Sequence, residues 1–362
     1  MSEQKKRWAI IGGGNGGQAL AAYFSMMGIE ITLHDVFPAT VDALNEQGGV
    51  YLEGRGKKTG FGKILFASTN MAKVVEGAEV IWVILPSLYH KKTAEIMAPL
   101  LKDGQTIIIN PMAPLGPMEF RRTLEEFGCK ADVTLAGSST LLFACRLSKP
   151  GTVFVNGQKE CVTIAAYPSS RNSQVEALTR DYVPEFKYVR DILSVSFENI
   201  NFEFHPGPTL LYTAMIEKGI PFEYYIDFVP SQVKLIKAID KEKMELCRIY
   251  DVQDVEDATA TFQSMYGYEG DLYEMLINAD CYKGIKGPTS LQARYLLEDV
   301  PYALRAIQTL ARIAGLPTVA IDTVVNLAYI LLEDQLDEGR TLENLGLSES
   351  TTVGDILKMC RG

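Results

Sequence analysis

Apolar residues in the first half of the chain come in short unbroken runs separated by stretches with helical spacing. RWAIIG opens the series at residue 7, NGGQALAAYFSMM carries a helix, and IEITLHD is again strand-like. Gly28, between the last two, stands where a helix C-cap is needed. A further helix is expected over about 39–46. KKTAEIMAPLL reads as a crossover helix between AEVIWVILP and QTIIINP. Those two runs are continuous rather than alternating, the pattern of parallel strands buried on both faces. DVTLAG, TLLFACRL, GTVFVNG and CVTIAAYP follow at close spacing. They are expected to form the far edge of the same sheet, with antiparallel members, and QVEALTRDYVP to follow as a short helix.

From about Asp191 the strand-like runs end. SQVKLIKAIDKEKMELCRIY, VEDATATFQSMY, SLQARYLLEDVPYALRAIQTLARIAG and TVAIDTVVNLAYILLEDQLDE all carry the helical period. The expected fold is therefore α/β: an N-terminal Rossmann dinucleotide-binding domain over residues 1–190, then an all-helical domain over 191–362. A chain of 362 residues is long enough for two such cores.

The strand–turn–helix junction holds GGGNGG, residues 12–17, in which Gly12, Gly14 and Gly17 match GxGxxG. A lone match is weak, but here a strand precedes it, a helix follows, and a second strand ends in His34-Asp35. Gly12 permits the tight turn, Gly14 lets backbone approach a pyrophosphate, and Gly17 lets helix and strand pack closely. The helix N-terminus, beginning at Asn15, offers free N–H groups to phosphate. Asp35 lies 23 positions after Gly12, near the ~20 expected of a ribose-binding acid. A carboxylate there repels a 2′-phosphate, and VFPATV beyond it offers no arginine. The implied cofactor is NAD (NADH) rather than NADP. The alternatives are a turn that binds nothing, or FAD, for which no companion motif is present. His34 is expected to be a surface residue at the strand end.

Composition narrows the partners. Hydrophobic residues make up 47%, charged residues 22%, and the formal net charge is −10. That balance disfavours nucleic acid and anionic membranes. VIWVILPSLY is too short to span a bilayer and contains Pro86. The polar start MSEQKK shows no apolar leader, and six cysteines without a CxxC pair read as reduced thiols. Cytoplasmic residence is expected, with no metal site. Only three histidines occur. His205 is followed by Pro206, Gly207 and Pro208, so a rigid turn with His205 in an extended conformation is expected. Histidine exchanges protons near neutral pH, and catalytic groups need fixed geometry.

TLLFACR (140–146), HPGPTLLYTAMIE (205–217) and RYLLEDVPYALRAIQTLARIAGLPT (294–318) resemble the octopine/nopaline (opine) dehydrogenase family. With the glycine motif, the resemblance runs through essentially the whole chain in order. It implies NADH-dependent reductive condensation of an amino acid with a 2-oxo acid such as pyruvate. It further implies His205 as the acid/base residue, Asp299 as its partner and Arg294 as the grip on the oxo-acid carboxylate. It places Thr140 at the domain interface and Cys145 in the amino-acid pocket. The loop MAPLGPMEF departs from the family by offering no polar side chain between Met112 and Met118. A homodimer is one assembly open to the chain.

Read without the family, each residue has a plainer role. His205 could be structural, Asp299 a helix cap ahead of Pro301, Arg294 the partner of Glu298 four residues on, and Cys145 core packing. As a helix N-terminal residue, Asp299 is expected to stay ionised. Two other functions remain compatible. One is a 2-oxo-acid or ketopantoate-like reductase without amine condensation, and the other a non-catalytic NAD-binding sensor.

Overall fold

The computed structural model describes residues 6–362, and the start MSEQK lies outside the described residues. The chain divides into two compact units, Met1–Val195 with Met359–Gly362, and Ser196–Lys358. The last residues group with the first unit because Cys360 is fully buried there and Arg361 Nε donates to the buried Asp191 carboxylate at 2.8 Å.

Among the described residues of the first unit, the strands are β1 (Arg7–Ile11), β2 (Glu30–His34), β3 (Gly49–Gly54), β4 (Gly60–Lys63), β5 (Phe66–Ser68), β6 (Val80–Val83), β7 (Thr106–Ile109), β8 (Thr134–Ser138), β9 (Phe143–Lys149), β10 (Thr152–Gln158), β11 (Val162–Tyr167) and β12 (Phe186–Tyr188). The larger sheet runs β12-β11-β8-β7-β6-β1-β2-β5. Its pairings are parallel except β11 against β8. The central strands β1, β6 and β7 are buried almost throughout, as their continuous apolar runs require. Trp8 of β1 and Trp82 of β6 meet Phe24 of helix α1 (Asn15–Met26) at ring-centroid distances of 4.8 and 4.9 Å.

The expected single sheet is corrected at β9 and β10. They join β3 and β4 in a separate four-stranded sheet of order β4-β3-β10-β9. The reason is legible in burial: Phe143 and Cys145 point inward while Ala144 and Arg146 are exposed. That alternation marks a sheet with one wet face, not a strand buried on both sides. Tyr23 of α1 covers the inner face, 5.3 Å from Phe143. The β3–β4 hairpin was not expected, since its glycines and lysines mask the strand pattern. The loop MAPLGP is buried along most of its length, and helix Gly116–Glu126 begins within it, with Leu115 left-handed at φ 61°.

The second unit is helical. Its long helix, Pro230–Ile249, buries Val233, Ile236, Ile239, Lys243 and Leu246 along one stripe. Lys243 sits in that stripe fully buried, its Nζ 2.9 Å from both Glu203 Oε1 and Asp240 Oδ1. The helical period over 290–315 resolves into three short elements, with Pro301 in the first turn of the second and Asp299 at its N-cap, where a helix start was expected. A single turn, Arg294–Leu297, gives way to a π-helical turn, Val300–Leu304, and then to Arg305–Ala314. Pro301 lacks the donor that an unbroken α-helix would need there. Among the described residues, no helix is long and apolar enough to cross a membrane.

Burial pushes the Glu203 carboxyl up from 4.5 to about 7, against the pull of Lys243. An acid whose pKa rises on folding stabilises the fold below its unfolded value. That contribution is lost as pH climbs through the folded value. Urea unfolding should therefore show stability falling between pH 4.5 and about 7, by roughly 3 kcal/mol at most from this group. Glu203→Gln should flatten that part of the profile, and an unchanged slope would contradict the assignment.

Candidate active site

The glycine turn is built by close approach. Gly12 has φ +108°, and a Cβ there would lie 2.4 Å from the Ile84 carbonyl oxygen. A Cβ on Gly17 would lie 1.7 Å from the Gly12 carbonyl oxygen, so helix and turn pack as only glycine allows. At Gly14, the N-cap of α1, nothing lies within 4 Å of an added Cβ and no side chain caps the helix. The N-cap side chain that usually takes one of the first N–H groups of a helix is thus missing at α1. Asn15 spends its side-chain oxygen on the Leu147 N–H at 2.9 Å, tying α1 to β9.

Asp35 follows β2 and is 9% exposed. Its Oδ2 accepts from Gly13 N–H at 2.7 Å and its Oδ1 from Phe37 N–H at 2.8 Å. Each carboxylate oxygen keeps a further lone pair. A bare helix N-terminus and a fixed carboxylate at the end of the next strand are the donor set that a pyrophosphate and a ribose diol need. The residues present fit NAD(H). Val36 and Phe37, both well exposed, bring no positive charge. His34 is corrected from surface to buried. Its ring is withdrawn from water at the end of β2, and burial lowers its pKa.

The second cluster lies within the helical unit. His205 is not in an extended turn: φ −102° and ψ −63° put it in the right-handed helical region. Pro206 and Pro208 open helix Pro206–Leu211, where proline's missing donor costs nothing. Local hydrogen bonds override the pre-proline bias. His205 N–H donates to Asn201 O at 2.9 Å, Thr209 N–H to His205 O at 3.0 Å, and the Tyr224 hydroxyl to His205 O at 2.7 Å. The imidazole is engaged at both nitrogens, Nδ1 with Asp299 Oδ2 at 2.7 Å and Nε2 with the Tyr225 hydroxyl at 3.0 Å. Tyr295 stacks on its face with centroids 4.1 Å apart.

Asp299 is the N-cap residue of the π-turn, yet its side chain caps nothing. It is spent on His205 instead. The partner that favours its charged form is His205 rather than the helix terminus. Burial pushes the Asp299 carboxyl up, and the hydrogen bond and charge of His205 pull it back. Asp299 and His205 side chains are each only 13% exposed. A carboxylate on Nδ1 fixes the proton there and leaves Nε2 as the exchanging nitrogen.

Arg294 opens the turn five residues before Asp299. Its side chain is 67% exposed, and Nε pairs with the carboxylate of Glu298. The helix pair is therefore formed on a side chain that is still mostly exposed. Thr140, in the first unit, accepts from Lys159 Nζ at 2.8 Å through Oγ1 and from Asn110 Nδ2 at 3.1 Å through its carbonyl. Cys145 belongs to the first unit's core, where burial raises its thiol to about 11. His205, Asp299 and Arg294 thus fall in one unit, and Gly12, Gly14, Gly17 and Asp35 in the other. A separate cavity of about 340 Å³ in the helical unit, lined in part by Arg305, Arg312 and Asp322, includes no residue of the His205 cluster. Sequence reasoning missed Tyr224, Tyr225 and Tyr295. The only signal was the doublet in FEYYID, a segment without periodicity.

The family model for the alpha-helical domain of NAD/NADP octopine/nopaline dehydrogenase matches residues 188–332. That for the N-terminus of NAD-dependent glycerol-3-phosphate dehydrogenase matches residues 7–112. An opine dehydrogenase of Arthrobacter sp. (strain 1C) is 34% identical over 355 residues, 97% of this chain and 98% of that protein. A solved structure of octopine dehydrogenase with NADH and L-arginine is similar at TM-score 0.81, and one with NADH and pyruvate at 0.79. Each covers 98% of both chains at 19% identity, a likeness of fold.

Asp35→Ser removes the charge that opposes a 2′-phosphate. The ratio of kcat/KM for NADH over NADPH should be large in the wild type and narrow by roughly tenfold or more in the variant. A wild type that uses NADPH as well as NADH would contradict the role given to Asp35.

Proposed function

The chain belongs to the opine dehydrogenase family, NAD-dependent oxidoreductases of the CH–NH group that join an amino acid to a 2-oxo acid by reductive condensation, and we propose how its residues divide that work. The observation that carries the proposal is the imidazole of His205 held between a buried carboxylate and a phenol. NADH, when bound, supplies the hydride that reduces the imine. His205 manages the protons around that step. Neutral, with its Nδ1 proton directed at Asp299, it presents Nε2 as a base to the incoming amine. Protonated, it returns the proton to the carbinolamine oxygen, so that water rather than hydroxide departs. Asp299 stabilises the imidazolium and holds the tautomer.

Arg294 is proposed to hold the carboxylate of the oxo acid. Its planar fork suits two parallel hydrogen bonds to a carboxylate, and a substrate carboxylate would take over from Glu298 at an exposed guanidinium. Pyruvate is the proposed oxo acid, after the octopine dehydrogenase solved with NADH and pyruvate. Gly12, Gly14, the Asn15 backbone, Gly17 and Asp35 form the proposed cofactor cradle. Thr140 keeps its proposed place near the substrate on the strength of its position after β8, the last of the parallel central strands. Cys145 is withdrawn from that set. Residence in the cytoplasm is part of the same reading.

The test is NADH consumption with pyruvate and each of a panel of amino acids, with the product weighed by mass spectrometry. A secondary-amine dicarboxylate is expected, its mass that of the amino acid plus pyruvate, less water, plus two hydrogens. Lactate as the sole product would place the protein with simple oxo-acid reductases. NADH binding without turnover of any pair would leave a sensor.

A further inference from the structure

The Nε2 atom assigned above to proton exchange is already occupied: the Tyr225 hydroxyl lies 3.0 Å from it. A substrate oxygen can reach that proton in two ways. Either Tyr225 swings aside, or the proton passes through it.

The packing of Tyr225 decides between them. The residue is 7% exposed. Its ring stacks on Tyr282 with centroids 3.9 Å apart and planes 16° apart, and it also meets Tyr224 at 4.9 Å and Phe228 at 5.6 Å. Aromatic pairs stabilise beyond the area they bury, so displacing the ring forfeits several such contacts at once. The backbone is tied down as well. Glu223 N–H donates to Asp227 Oδ2 at 2.7 Å, Tyr224 N–H to Ile285 O at 2.8 Å, and Gly287 N–H to Phe222 O at 2.9 Å. A proton passing through the hydroxyl requires none of this to move.

We propose that Tyr225 is a catalytic residue of the reaction proposed above, the hydroxyl that touches the substrate oxygen and carries the proton between it and His205. The inference rests on the opine dehydrogenase reading of His205. Proton by proton, the step balances. When the carbinolamine loses water, His205 gives its Nε2 proton to the Tyr225 oxygen, and Tyr225 gives its own hydroxyl proton to the leaving oxygen. The C–O bond breaks with its electron pair on that oxygen, water departs, and the nitrogen lone pair closes the C=N bond. His205 ends neutral with Nδ1–H still on Asp299, and Tyr225 ends as a phenol. In the opposite direction the hydroxyl gives its proton to Nε2 as it receives one, so no free tyrosinate forms. Tyr224 takes no part in the transfer, because its hydroxyl is committed to the His205 carbonyl.

The experiment compares wild type, Tyr225→Phe and a protein carrying a ring-fluorinated tyrosine at position 225. Phenylalanine keeps the ring and deletes the relay. Turnover should fall on the order of 10²-fold, while NADH affinity, read by nucleotide fluorescence, stays near wild type. The fluorinated phenol keeps the shape but donates more strongly to the Nε2 lone pair. Neutral imidazole is then favoured, and the acid limb of the pH–rate profile should move to lower pH. Wild-type turnover in Tyr225→Phe, or an unmoved limb in the fluorinated enzyme, would overturn the relay. If Tyr225→Phe does not fold, the fluorinated protein carries the test alone. A wild type inactive on every amine and oxo-acid pair would count against the opine reading. The contact is then read by ¹⁵N resonance of His205, where Nε2 should shift on fluorination and an unshifted Nε2 overturns the proposal.

Discussion

A carboxylate withdrawn from water needs either a proton or a partner. Asp299 is in that position, 13% exposed, and His205 Nδ1 at 2.7 Å is the partner. Much of the helical unit's local structure serves to keep the two in place. On one side, the chain changes from a short helix to a π-turn at Pro301, so Asp299 leaves its capping position unused and reaches sideways. On the other, His205 accepts a backbone conformation that a following proline disfavours. Three hydrogen bonds to its main chain, one of them from the Tyr224 hydroxyl, hold it there. Tyr295 covers the ring face. The imidazole has little freedom left except in where its protons sit, which suits a group that exchanges them.

The first unit solves a different problem by subtraction. Phosphate recognition needs backbone N–H groups presented without obstruction, and the glycine turn achieves it by leaving side chains out. Gly17 and Gly12 touch in a way that a methyl group would forbid, and the space above Gly14 stays clear. Asp35 is doubly held by the N–H groups of Gly13 and Phe37. Its charge therefore has a fixed position before any ribose arrives.

Much of this was legible in the sequence where a pattern has one physical cause. Unbroken apolar runs marked β1, β6 and β7 because parallel strands are covered on both faces. Spacing from Gly12 to Asp35 marked the nucleotide turn. Other features were hidden because the deciding interactions are tertiary. Strands β9 and β10 alternate, but over too few residues to separate them from the main sheet. Pro301 marked a helix start within 290–315, but nothing in the apolar period marked that its first turn is π-helical. His205 was expected to be extended because Pro206 is a local signal, whereas Asn201 and Tyr224 act from outside that window. The aromatic surroundings of His205 left the weakest trace. Tyr224 and Tyr225 stand in a segment with no period, and 17 tyrosines in the chain make two of them unremarkable on composition alone.

The central claim is that His205 and Asp299 act as one unit. The most direct measurement is a double-mutant cycle on turnover with saturating substrates, using His205→Asn, Asp299→Asn and the two together. The account predicts a loss of about 10²–10⁴-fold for His205→Asn. It predicts a smaller loss for Asp299→Asn, and a double variant little worse than His205→Asn alone, because groups that share a function do not add. Losses that multiply independently would show that Asp299 serves only the fold. Near-normal turnover in His205→Asn would remove the histidine from the chemistry altogether.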